Sequence, residues 1–193
     1  MSKIFILFLI AGSLFQQKAI AQTNNIYLIK TEIGDIKFEV YPEKAPISVA
    51  NFFKYVELAN YDSANFHRVV RMDNQPNDSI RIEVIQGTFT GRGNSFGPIP
   101  HETTNNIGLL HKDGTVSMAR GNPGTASTSF FICINDQPEL DFGGKRNPDG
   151  QGFAAFGQVI EGMDVVKQIQ SGDTDYQTLK KKIRINQITN FYK

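Results

Sequence analysis

A chain of 193 residues, 40% of them hydrophobic, is long enough for one domain with a sizeable buried core, and no polar linker divides it. With 20 basic and 19 acidic residues the formal charge is +1, which leaves no electrostatic footprint for nucleic acid or an anionic membrane surface. A single cysteine, Cys133, excludes an internal disulfide, so stability has to come from packing.

The chain opens on "MSKIFILFLIAGSLFQQKAIAQTNN": Lys3, an apolar run from Ile4 to Phe15, then Ala19-Ile20-Ala21 before a polar stretch. That pattern predicts a secretory signal peptide over residues 1–21, cleaved after Ala21, and a single domain over 22–193. The run is too short for an ordinary membrane span, so the mature protein is expected to be exported, to the periplasm or beyond, without membrane insertion. Cleavage removes Lys3 and Lys18 and no acid, which moves the net charge from +1 to about −1.

Residues 26–41, "IYLIKTEIGDIKFEVY", predict a hairpin around a Gly-Asp turn, with Ile26, Leu28, Ile36, Phe38 and Val40 on its apolar face. Next, Pro46 followed by Val49, Phe52, Phe53 and Val56 at three- and four-residue steps predicts an amphipathic helix over 47–58. Short strand candidates come after it in "FHRVV", "IEVIQG", "TVSMA", "SFFICI", "FAAFGQV" and "KIRINQITNFY". They are separated by Gly, Asn, Asp and Pro clusters. Val165, Val166 and Ile169 share one face of a second helix over 162–170. Many short strands with two helices predict a mainly β fold, a closed or nearly closed antiparallel barrel that leaves no sheet edge bare.

Few residues offer chemistry. "HETTN" at 101–105 starts like H-E-x-x-H but ends on Asn105 in a Pro- and Gly-rich loop, so no metal site is expected and His101 reads as a surface residue. His111 reads as a turn residue, and alternation sets His67 on the strand face opposite Arg68. The glycine-rich "GTFTGRGNSFG" lacks phosphate-loop spacing and reads as a surface loop. Cys133 in "FFICI" has no basic neighbour to activate it, and "STS" at 127–129 is no nucleophile elbow. Arg68 stands out. A charge inside a strand-like run costs free energy unless it is solvated or used.

Taken in order, "APISVANFFKYV", "FHRVV" with Arg68, "VIQG" with Gln86, "HKDGTVSMAR", "SFFICI" with Phe131, "LDFGG" with Leu140 and "AAFGQVIEGMDVV" resemble the cyclophilin family of peptidyl-prolyl cis-trans isomerases. The resemblance implies an eight-stranded antiparallel closed barrel capped by two α-helices, acting on X-Pro bonds of unfolded or extended polypeptides as a monomer with no cofactor. It implies that Arg68 polarises the prolyl amide and that Gln86 holds it. Val84, Phe131 and Leu140 line the proline slot, and the main chain of Ala119 and Arg120 pairs with peptide on the N-terminal side of the proline.

The chain departs from the family's pattern at several points. Glu83 stands where the family has phenylalanine, and alternation gives that face instead to Ile82, Val84 and Gln86. Ser129 replaces a glutamine that contacts peptide, Glu139 a tryptophan and Phe153 a histidine, so weak cyclosporin binding is expected. Two polar insertions, at 71–81 and 142–152, are expected to project near the site. The alternative reading is a proline-peptide binding or holdase protein that keeps the barrel and has lost rate enhancement.

Overall fold

The computed structural model describes residues 25–62, 64–89 and 96–192; the predicted leader and the middle of the glycine-rich stretch lie outside them. In chain order the elements are β1 (Ile26–Thr31), β2 (Asp35–Val40), α1 (Pro46–Glu57), β3 (Asn65–Val70), β4 (Val84–Thr88) and the single turn α2 (Thr104–Ile107). Then come β5 (Thr115–Met118), β6 (Phe130–Cys133), a 3-10 turn (Pro138–Leu140), β7 (Ala154–Glu161), α3 (Met163–Gln170), β8 (Thr174–Asp175) and β9 (Thr178–Asn190).

The strands pair antiparallel in the order β1-β2-β7-β5-β6-β4-β3-β9, and β1 pairs again with β9, so eight strands close on themselves. The expected barrel is present, and α1 and α3 are its two predicted helices. Two-residue β8 is an addition that folds back on the start of β9.

Aromatic rings fill the barrel beneath α1: Phe52 packs on Phe38, Tyr61 and Phe156, and Phe130 packs on Tyr61 and Phe66. Gly87 is explained here, because a Cβ at this position would meet the Phe130 ring at 3.0 Å and the Phe66 ring at 3.2 Å.

Three local readings are corrected. In β1 the core face is Tyr27, Ile29 and Thr31, with Ile26 and Leu28 only half-buried. Both faces of "IYLI" are apolar, so alternation alone does not choose between them; pairing of Tyr27 with Phe38 and Ile29 with Ile36 does. His101 is not a surface residue but half-buried, its Nε2 3.1 Å from the Gln151 carbonyl. Its neighbour Glu102 is buried and accepts from the Ile47 amide at 3.0 Å, the Ser48 amide at 2.8 Å and the Ser48 hydroxyl at 2.6 Å, capping α1, whose own Ala45 has no side-chain acceptor.

In β3 the expected alternation fails. Its register shifts between Phe66 and Arg68 against both neighbours, so Phe66 and Val69, three residues apart, both enter the core. A bulge therefore breaks the alternation that set His67 opposite Arg68, and His67 is half-buried beside it. Regular pairing would have sent Arg68 inward with Phe66. The extra residue turns it out to the barrel's outer face.

Candidate functional site

Outside the barrel lies a second, smaller apolar cluster: Val70, Ile82, Val84, Phe131, Cys133 and Leu140, with Ala119 and Phe153 packed against it. It exists because β3, β4 and β6 each carry an apolar residue on the outer face, under the two inserted loops. Above it opens a cavity of about 420 Å³, the size of a small-ligand cleft. All ten residues singled out in the sequence border this cavity: Arg68, Gln86, Ile82, Val84, Ser129 and Phe131 from β3, β4, β6 and their flanks, and Ala119, Arg120, Leu140 and Phe153 from the end of β5, the 3-10 turn and the start of β7.

Arg68 is fixed by amides. Its Nη1 donates to Gln86 Oε1 at 2.8 Å, and Nε and Nη2 both donate to Gln177 Oε1, at 3.0 and 2.5 Å. Of the five N–H groups of a guanidinium, one on each terminal nitrogen is left by these bonds. Burial pushes its pKa down, nearby Arg146 adds to this and Asp78 opposes it, but the group stays cationic. Gln177 was not legible in the sequence. It sits in the β8–β9 turn, 109 residues away, and nothing in "DYQTLK" distinguishes an acceptor from a solvated turn residue.

The floor of the cavity is aromatic. Phe131 meets Phe153 edge to face at 5.2 Å, and its other neighbour is the His111 ring, stacked at 5.9 Å and 14°. His111 is not a turn residue. It is 1% exposed, its Nδ1 lies 2.7 Å from Asp141 Oδ1 and its Nε2 3.0 Å from Ser117 Oγ. These three have the order of a nucleophilic triad, but Ser117 is fully buried behind Phe131, so the set positions a ring instead of attacking a carbonyl. Cys133 is equally inert: burial pushes its thiol far up.

Glu83 stays out of the cavity, as alternation predicts, and accepts from Asn135 Nδ2 at 2.8 Å. Ser129 shares a 2.7 Å hydroxyl contact with Thr88. Glu139 turns to the Lys145 amide at 2.8 Å.

The Arg120 side chain is fully occupied: it makes paired 2.8 Å bonds to Asp149, donates from Nε to the Gly152 carbonyl at 2.7 Å and lies over the Phe153 ring. With further bonds to the Gly121 and Gly152 carbonyls, the guanidinium has no N–H group left for the cavity. Arg120 holds the Asp149 carboxyl down at about 2. A folded-state pKa below the unfolded one means the clamp is complete above about pH 4 and lost as acid approaches pH 2. Carbon-detected titration of Asp149 should have its midpoint near 2, and Asp149→Asn should abolish acid-dependent loosening of residues 142–152 in amide exchange; a midpoint near 4 would contradict the clamp.

The insertions do not project freely. Gln75, 1% exposed, donates to the carbonyls of Arg71 at 2.7 Å and Ile82 at 2.8 Å and accepts from the Ile82 amide, so it ties the first loop shut. Arg71 reaches the carbonyl of Gln170 at 2.8 Å, at the end of α3, and that of Gly172 at 2.9 Å just past it. Arg146 of the second loop donates to the Ile80 carbonyl at 2.6 Å and pairs with Asp78 at 3.1 Å. The two loops are joined at the rim.

The profile of the family described as cyclophilin type peptidyl-prolyl cis-trans isomerase/CLD matches residues 26–190. A peptidyl-prolyl cis-trans isomerase of Acinetobacter baylyi is 36% identical over 176 residues, covering 86% of this chain and 81% of that protein. Peptidyl-prolyl cis-trans isomerase B of Escherichia coli is 32% identical over 149 residues, 72% of this chain and 80% of the relative. A Cryptosporidium parvum cyclophilin type isomerase, crystallised in the presence of the dipeptide Ala-Pro, superposes with a TM-score of 0.68 at 23% identity, covering 86% of this chain and 98% of its own.

Proposed function

The chain belongs to the cyclophilin-type peptidyl-prolyl cis-trans isomerases, and from that premise we propose that Arg68 is its catalytic residue, on exported proline-containing polypeptides. The uncatalysed X-Pro bond rotates in tens to hundreds of seconds, because the prolyl nitrogen conjugates with the carbonyl across a barrier of about 18–20 kcal/mol. Rotation breaks no covalent bond. It asks only for stabilisation of a twisted amide whose nitrogen has regained its lone pair.

The observation that carries this reading is the guanidinium itself, held by Gln86 and Gln177 beside an apolar floor, with N–H groups left to donate. The proline ring rests on Phe131 between Val84 and Leu140, and the main chain of Ala119 and Arg120 pairs with the preceding residues in strand fashion. As the amide twists, Arg68 donates toward the prolyl nitrogen, and the donors are aimed before the substrate arrives. Ile82 and Phe153 close the apolar rim, and Ser129 leaves room where a longer side chain would reach the peptide. The leader pattern at the start of the sequence supports an exported, periplasmic enzyme.

Exchange spectroscopy on an Ala-Pro peptide tests the reading. Catalytic amounts of protein should bring cis-trans exchange into the range of tens per second or faster. Peptide line broadening with no gain in exchange would leave a proline-peptide holdase.

A further inference from the structure

A second cavity of about 450 Å³ lies on the other side of Arg68, bounded by residues 74–78 of the first inserted loop and by Tyr176, Gln177 and Thr178. We infer that it receives the second to fourth substrate residues after the proline, a subsite with a preference for polar, extended chain. The inference rests on the isomerase reading above.

The sheet order gives the direction. Across the outer face the strands run β5, β6, β4, β3, β9, carrying in turn Ala119 at the end of β5, Phe131, Gln86, Arg68 and Thr178. A peptide whose N-terminal side pairs with Ala119 and whose proline rests on Phe131 continues past Arg68 toward the β8–β9 turn. With strands about 4.8 Å apart and about 3.3 Å per extended residue, the crossing from β6 to β9 takes about four residues. Arg68 borders both cavities, so it is the wall between the proline and the residues on its C-terminal side.

The cavity is built, not incidental. Gln75 and Arg71 brace its loop from inside, and the Asp78–Arg146 pair fixes its rim. Asn74 is held by the Arg71 amide and the Val69 carbonyl, and Gln177 by Arg68, so the groups of the lining that face a peptide main chain are the Asn77 amide and the Asp78 oxygen not paired with Arg146. Tyr176 stands on its edge, 81% exposed and at φ 51°, a left-handed backbone that disfavours a bulky residue. An exposed aromatic kept where glycine would be easier is a contact surface in search of a chain.

The test uses two peptides, acetyl-Ala-Ala-Pro-Ala-amide and the same sequence extended by Ser-Asn-Ser, with exchange rates and amide shifts of the protein as readouts. The longer peptide should show kcat/KM about five- to tenfold higher, the value of one or two net hydrogen bonds. It alone should shift the amides of Asn74, Gln75, Asn77 and Asp78 and of residues 176–178. Tyr176→Gly, which relieves the left-handed strain and so should not lower Tm, should cut the ratio to about twofold or less. Turnover of both peptides at equal kcat/KM, or a ratio unmoved by Tyr176→Gly, overturns the subsite and leaves the isomerase intact. Turnover of neither overturns the reading beneath it.

Discussion

Arg68→Ala is expected to lower kcat/KM for an X-Pro peptide by about 10²–10³-fold, the loss typical of removing a preorganised donor from the site of developing charge. The fold should survive. Arg68 is on the outer face of a bulged strand, and its partners Gln86 and Gln177 are amides that can turn to water, whereas a carboxylate partner would be left as an unpaired buried charge. Arg68→Lys tests the geometry separately from the charge. The three N–H groups of an ammonium radiate from one atom and lack the spaced planar fork that spans Gln86 and Gln177, so lysine cannot hold both amides and aim its third donor at the prolyl nitrogen; it should recover less than about tenfold of the loss. Retention of full activity in Arg68→Lys, with a normal Tm, would mean that charge alone suffices and that the two-amide clamp is ornamental.

How much of this could be read from the sequence depends on where each signal resides. The helix over 46–57 is legible because its apolar residues recur at helical spacing, and the barrel because short strands alternate with turn clusters. Arg68, Gln86, Phe131 and Leu140 are legible as motif positions, each within a few residues of its own signature. Whatever depends on distant pairing stays hidden. The β3 bulge, which decides the direction of Arg68, is a property of its registers with β4 and β9. Gln177 reaches Arg68, and Glu102 reaches the start of α1, only once the barrel closes. His111 looks like a turn residue because "HKDG" does make a turn; its burial is supplied by Asp141 and Ser117.

The insertions show the same division. Their Asn, Asp and Pro content marks 71–81 as a loop, and a loop it is, but composition says nothing of where its polar groups find partners. Gln75 turns inward to satisfy the backbone of Ile82, and Arg146 crosses from the other insertion. A polar composition therefore yields a braced rim instead of a mobile flap.

Asp141→Ala should destabilise the protein by about 2–4 kcal/mol, since it strips the acceptor from two buried donors at once, each worth about 1–3 kcal/mol when left unsatisfied. Asp141 Oδ1 accepts from the His111 backbone amide at 2.9 Å and lies 2.7 Å from its Nδ1. With the proton on Nδ1, Nε2 accepts from the Ser117 hydroxyl, and the imidazole is locked flat against Phe131. Losing the carboxylate frees the ring to rotate, and the floor of the proline slot loses its backing. For a domain of this size the stability change corresponds to a fall in Tm of about 5–15 °C. KM for the proline peptide should rise while Arg68 keeps its amide partners, so the damage should fall on binding more than on turnover. Asp141→Asn retains an acceptor oxygen and should recover a good part of the stability. Urea unfolding separates the outcomes: a loss below about 1 kcal/mol in Asp141→Ala would show that His111 finds another partner and that the buried row behind Phe131 does not hold the slot in shape.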